Sequence, residues 1–442
     1  MIGEYTAKEI NESFRYLLAS RALRSIAIAF TTSALPLYLI FVLNQDLIGV
    51  GAAYFVVILF VSFTSFIFGM LGDRIGYGNT MIIAEVLPLL GLSGLTISTF
   101  IATGTGLRLT VVVISAMLVG ISTAGGMRGA FSAGQQALIA NNWKDHNDRV
   151  HRLGRIFTIA AIGSVMGSLF LALQGMLTNA LRQYGFTGLQ AITLAFRYMF
   201  AICVLFVFLS MLSLFFLKEL AKPERKQSLF IKKESSPHMF RVMASQIFAG
   251  VGVGLAIPIL PAMVAKSYAL DAAAASQFIG YMFGAGYVII AIASFYMSQS
   301  VYKKRVNTLK AASLVRAMQG IAIIMIAFVI SIGPGIPYGT GFGLLLLGLL
   351  YSVYAMFIGV GAPLRSAINI SGIDNQDYGT ASAIMGMSIQ IPQASVGLSG
   401  FLSEALPSFL ALPMAIGGIF ISVSGIIYWK LLSKDGPVKK KE

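Results

Sequence analysis

Four ionisable side chains interrupt long apolar stretches of this sequence: Glu85, Arg128, Arg197 and Arg316. Charges in such surroundings are costly and are usually retained for a task. Arg128 lies about twelve residues, ~18 Å along a helix, from one end of its apolar run. Ser132 and Gln135 follow it at i+4 and i+7, which draws one polar stripe on an otherwise apolar helix. A guanidinium there suits bidentate binding of a carboxylate or phosphate on a solute. The competing reading is an internal tie to Glu85 or to backbone carbonyls. Glu85 is the carboxylate deepest within an apolar run, with Pro88 just beyond. As a proton carrier it needs a burial-raised pKa; as the partner of an arginine it is structural, the reading favoured here. Arg197 and Arg316 stand nearer the ends of their runs, where snorkelling or a structural tie is expected.

Neutral polar groups are scattered through the same stretches. Thr31, Thr32 and Ser33 precede Pro36; Tyr351 and Tyr354 share one run; Gln390 and Gln393 flank Pro392, one turn apart. For any one of them a helix–helix hydrogen bond is the ordinary role. Thr32, Tyr354, Gln390 and Gln393 are the candidate solute contacts, with Arg128, Ser132 and Gln135.

The elements that must position these groups follow from composition. Of 442 residues, 57% are hydrophobic and 11% charged, too few charges to cover a soluble fold of this size. Mean hydropathy is +0.82. A net charge of +15 would suggest nucleic acid in a soluble protein. One cysteine, Cys203, and three histidines leave no disulfide framework and little material for a metal centre, and no cofactor is expected. No P-loop, nucleophile–base or zinc-protease pattern occurs, so neither ATP-driven transport nor enzymatic chemistry is expected.

A bilayer core of ~30 Å needs about 20 apolar residues as helix. Twelve runs qualify: roughly 23–43, 49–70, 80–101, 109–140, 153–177, 193–217, 241–264, 276–300, 309–332, 341–365, 378–402 and 413–432. With the N-terminus inside, only Arg108, Arg182 and Lys266 of the 32 Lys and Arg residues fall in outer segments, and only Arg128, Arg197 and Arg316 within spans. The rest, including Arg21, Arg24 and Arg365, fall on the inner side. This places both termini in the cytoplasm of a multi-pass cell-membrane protein and turns the net charge into a topology signal. It can also favour anionic lipid headgroups on that side.

The basic, Pro-containing stretch 218–240 reads as a linker between an N-terminal half, 1–217, and a C-terminal half, 241–442. A weak repeat accompanies it: Leu35-Pro36 recurs as Leu260-Pro261, and Asn79-Thr80 as Asn307-Thr308.

The turn after the second span reads Gly69-Met70-Leu71-Gly72-Asp73-Arg74-Ile75-Gly76-Tyr77-Gly78-Asn79. It resembles the major facilitator superfamily signature G-x-x-x-D-R-x-G-R-K/R, with Tyr77 and Gly78 in place of the two basic residues. Gly69 allows close helix packing and Gly76 a tight turn. The resemblance implies an all-α membrane protein of 12 transmembrane helices in two pseudo-symmetric six-helix bundles. It implies that Asp73 faces the start of span eleven, near Asp377-Tyr378-Gly379, and that Arg74 reaches the end of span four, near residues 141–148. The second-half counterpart keeps Lys303-Lys304-Arg305 but lacks the Asp. Gly163 and Gly167 in span five resemble the family's antiporter spacing, without its Pro. Gating or coupling is therefore assigned to Glu85, Gly69, Asp73, Arg74 and Gly76. The expected function is secondary transport of a small organic solute by alternating access, as export or exchange, with protons a candidate coupling ion and a monomer the expected state. Uptake of a neutral nutrient such as a sugar, and lipid scrambling, are the alternatives.

Overall fold

The computed structural model describes residues 2–3, 5–102, 106–121, 130–143, 145–220, 236–302, 307–332, 339–371, 373 and 378–433. Fifteen helices make up nearly all of them. The N-terminal half contains α1 (Ala7–Phe41), α2 (Leu47–Ile75), α3 (Tyr77–Ser98), α4 (Gly106–Val119), α5 (Ala130–Asn142), α6 (His146–Gln183) and α7 (Gly188–Leu214). The C-terminal half contains α8 (Ser236–Ala256), α9 (Leu260–Ser267), α10 (Ala272–Tyr302), α11 (Thr308–Ile332), α12 (Thr340–Ser371), α13 (Tyr378–Gln390), α14 (Val396–Ala405) and α15 (Leu412–Leu432).

Among the described residues, ten helical segments are long and apolar enough to cross a membrane. The remaining two crossings are divided. Span four is α4 plus α5, with residues 122–129, and hence Arg128, outside the described residues. Span eleven is α13 and α14 joined by a 3-10 segment, Ile391–Ser395, whose second residue is Pro392, where the missing amide cannot continue the α-helical ladder. Span seven divides as α8 and α9 around Pro258, and Pro261 opens α9. Its repeat partner Pro36 sits inside an unbroken α1, so the shared Leu-Pro pair has different consequences in the two halves. The architecture is the twelve-crossing, two-bundle membrane fold expected above.

Helix starts carry the caps that free amides need. Thr6 and Glu9 form a capping box on α1, Asp46 caps α2 and Asp145 caps α6. Thr187 and Gln190 form a second box on α7. Gly76 ends α2 and begins α3 at φ +94°, a conformation that side chains with a Cβ rarely adopt. Residues 2–3 and 219–220 form a two-residue parallel strand pair, β1 (Ile2–Gly3) and β2 (Glu219–Leu220). The stretch 218–240 is thus not loop throughout: it begins in β2, α8 starts at Ser236, and 221–235 lie outside the described residues.

Within the N-terminal half α1 packs on α6 and α7, and in the C-terminal half α15 packs on α8 and α11. Gly163 and Gly167 belong to the first of these contacts: a side chain at either would overlap the carbonyl of Ala22 or Ile26. The halves meet along two seams, α6 against α10 and α2 against α13 and α14. Small residues line both. A Cβ on Gly280 would stand 2.6 Å from the Ala172 nitrogen, and one on Gly51 2.9 Å from the Val396 oxygen.

Candidate functional site

A cavity of about 200 Å³ lies between the halves. The C-terminal half supplies most of its wall: Arg316 and Gln319 of α11, Tyr351, Tyr354 and Arg365 of α12, and Gln390 of α13. Ser65, Ser132, Gln136 and Phe157 close it from the N-terminal half. It reaches Asn369 near the end of α12 and Ser382 in the first turns of α13. It therefore extends toward the face that carries the start of α1 and the end of α15, called here the terminal face.

Of the sequence-predicted solute contacts, Ser132, Tyr354 and Gln390 line this cavity. Gln135 and Gln393 are buried outside its wall, and Thr32 also stands apart from it. Gln136 takes the place expected of Gln135. Gln393 falls on the 3-10 segment, which packs on α8, so it does not share Gln390's exposure to the cavity. Arg316 is not a snorkelling side chain: it is buried and lines the wall. Arg365, read from sequence as an inner-side charge, also lines it.

Asp73 sits at the terminal end of the α2–α13 seam, one turn after the buried Gly69. Its carboxylate accepts from the backbone N–H of Thr380 at 2.8 Å and from the Thr380 hydroxyl at 2.5 Å. Thr380 is in the first turn of α13, where free amides and the helix dipole favour a carboxylate. The Tyr77 hydroxyl donates to the other Asp73 oxygen at 2.6 Å. Beside it, the backbone N–H of Gly78 donates to Glu219 at 2.9 Å. The two residues that depart from the signature thus enter a different hydrogen-bond set. Among the described residues, no hydrogen bond or ion pair joins Arg74 to the stretch 141–148, contrary to expectation. Arg74 is exposed, and Asn141 donates to the Leu220 carbonyl while Asn142 accepts from the Leu220 N–H. The Ser382 hydroxyl donates to Gln136 at 3.2 Å, a second terminal-face tie between halves. Lys303-Lys304-Arg305 and Asp377 lie outside the described residues.

The opposite face has its own ties. Glu404 of α14 accepts from the Leu47 N–H at 2.9 Å and from Lys266 at 2.6 Å. Arg182, after the membrane part of α6, donates to Asp271 at 2.9 Å. Burial alone would raise the Asp271 carboxyl. The bonds from Arg182 and the Ala274 N–H outweigh it and hold the group below the ordinary carboxylate range.

Glu85 lies away from the cavity and is fully buried. It pairs with Arg24 of α1 and accepts from the Ser210 hydroxyl at 2.7 Å. Arg24 lies over the Phe131 ring, 4.8 Å from its centre. Arg21 and Arg24 are thus buried inside α1 rather than loop charges, and Arg108, read as an outer charge, is buried and donates to Tyr38 at 2.9 Å. Arg197 donates twice to Thr99 and covers the Phe100 ring, a structural tie. Arg21, Arg24 and Arg108 escaped the sequence reading because each stands near a span end, where apolar windows tolerate a charge. Charged residues one turn inside a span boundary were the available signal.

The family profile described as Major Facilitator Superfamily matches residues 17–397. Among solved structures, the chain is similar to the proton:xylose symporter XylE, at 16% identity and TM-score 0.65, covering 96% of each chain. It is also similar to a bacterial homologue of the iron transporter ferroportin in an outward-facing state, at 12% identity and TM-score 0.63, covering 95% of this chain and 99% of that one. The human organic anion transporter MFSD10 aligns at 15% identity and TM-score 0.55, covering 97% and 100%. A search of curated proteins finds no match. These identities show a shared fold alone. The profile match spans most of the sequence, and the chain is a multi-pass membrane protein of the major facilitator superfamily, a family of secondary transporters.

Proposed function

We propose that the protein moves a small organic solute by alternating access, with export or exchange against protons or a counter-solute as its mode. The observation that carries this reading is the cavity built from both halves, with polar groups from each facing it. Ties at either end supply the means of gating. Asp73–Thr380 and Gln136–Ser382 close the terminal face; Glu404–Leu47 and Arg182–Asp271 close the other. Each is a handful of hydrogen bonds, small enough for solute binding to exchange one set for the other. The distribution of Lys and Arg assigns the terminal face to the cytoplasm. The alternative, uptake of a neutral sugar-like nutrient, is favoured by the side-chain amides of Gln136, Gln246, Gln319, Gln390 and Asn369 on the wall.

Cys203, the sole cysteine, is buried, so an introduced thiol can be followed cleanly. Ala249 lines the cavity. In sealed vesicles, Ala249→Cys should react with a membrane-impermeant maleimide from either face, and Asp73→Asn should move the reactivity toward the terminal face. Labelling from one face only, unchanged by Asp73→Asn, would overturn alternating access. Gradient-free movement of labelled lipid would replace it with scrambling.

A further inference from the structure

We infer that the cavity is a site for a small organic anion with a flat apolar body, whose head is held by Arg365 and whose body lies on Tyr351 and Tyr354. This rests on the reading of the cavity as the solute site.

Charge is the first argument. Two guanidiniums, Arg316 and Arg365, face the cavity, and among the described residues no carboxylate lines it. A cation inside a membrane bundle ordinarily pairs with an anion or a backbone carbonyl. Three other arginines follow this habit: Arg24 meets Glu85, Arg108 meets Tyr38 and Arg197 meets Thr99. Arg365 differs. Its Nη1 is buried with no hydrogen-bond partner. The titratable groups facing it are the phenols of Tyr354 and Tyr428, and the Tyr428 hydroxyl already donates to Asn369 at 3.1 Å. Arg21 also has unpartnered nitrogens, but it lies beside Glu85 and away from the cavity.

Polar capacity elsewhere on the cavity wall is also unspent. Gln319 keeps a buried amide Nε2 without a partner, a donor that a carboxylate oxygen can accept from, while the unpartnered Gln390 atom is its oxygen, free for a donor on the ligand body. A carboxylate has two acceptor oxygens and a planar outline that a guanidinium fork matches. The remaining wall decides what the head is attached to. Tyr351 stacks on Phe283 with ring centres 4.8 Å apart, and the Tyr354 ring stands 5.8 Å from it. Rings fixed in this way offer an apolar surface at little entropic cost and favour a flat partner. Ile257, Ile358 and Ile421 complete the apolar part. A strongly hydrated, body-less anion leaves these surfaces unused.

The test uses the purified full chain in detergent, with benzoate as the aromatic carboxylate, benzyl alcohol as its neutral analogue and inorganic phosphate as the body-less anion. Benzoate should raise Tm by a few degrees in a saturable way, because a ligand of the folded state stabilises it. Benzyl alcohol and phosphate should bind at least tenfold more weakly. Arg365→Gln should abolish the benzoate effect. Should that variant fail to fold, Arg365→Lys keeps the charge without the fork and should weaken benzoate about tenfold. Equal stabilisation by benzyl alcohol, stabilisation by phosphate but not benzoate, or unchanged benzoate affinity in either variant would overturn the assignment. Binding in detergent does not need transport, and Ala249→Cys labelling does not need benzoate. Loss of one with the other intact separates a wrong solute class from a wrong transport reading.

Discussion

Asp73 in one half accepts two hydrogen bonds from a single residue of the other, Thr380, at 2.8 Å from its N–H and 2.5 Å from its hydroxyl. No other residue of the α2–α3 turn receives a backbone N–H from across the seam among the described hydrogen bonds. Asp73→Asn keeps the shape but turns an amide NH₂ toward donors. Bonds to a charged acceptor contribute about 1.5–3 kcal/mol each at most, and about 1.4 kcal/mol is a tenfold change in a conformational equilibrium. A shift of tenfold or more toward opening of the terminal face is expected, read by thiol accessibility.

Tyr77→Phe removes the third donor to the same carboxylate. Thr380 remains, so the effect should be smaller, about 1 kcal/mol. The double variant with Asp73→Asn should add little to the single one, since both act through one group. An additive effect in the same accessibility assay would separate Tyr77 from the tie.

Glu85 and Arg24 form a buried pair with Ser210 as third member. Glu85→Gln leaves Arg24 without its counter-charge, which costs about 3–5 kcal/mol where a buried pair is broken. Arg24→Leu with Glu85→Leu removes both charges and should recover most of the lost thermal stability. A single variant with unchanged Tm and altered pH dependence of transport would instead assign Glu85 to proton coupling.

The tie between Arg182 and Asp271 answers to pH. The folded carboxyl lies below its unfolded value of about 3.9. Its contribution is therefore present above that value and is lost as pH falls through the lower, folded one. Accessibility of the opposite face should be flat from neutral pH down to about 5 and rise only below about 4. Asp271→Asn should raise accessibility at neutral pH and shrink the acid step to the part that the remaining Glu404 tie contributes.

Hydropathy made the crossings legible, because a bilayer demands length and apolarity that no other fold needs. The breaks were half legible: Pro258, Pro261 and Pro392 lie at interruptions, while Pro36 is absorbed within α1. The motif marked Asp73, but the donors Thr380 and Tyr77 belong to tertiary contacts that a linear pattern does not contain. Arg365 was least legible. It stands six residues before the end of α12, where a positive charge reads as a cytoplasmic anchor, and only the packing of α8, α11 and α13 turns it into a cavity wall. Arg128, the strongest candidate by pattern, falls outside the described residues.

Pulsed spin-label distances test the central claim, rocking of the halves about the cavity, most directly. One label pair on the terminal face, at Arg74 and Ser433, and one on the opposite face, at Tyr184 and Leu406, occupy exposed positions on different halves. Asp73→Asn should lengthen the first distance while shortening the second. Distances that stay unchanged, or that lengthen together on both faces, would contradict it.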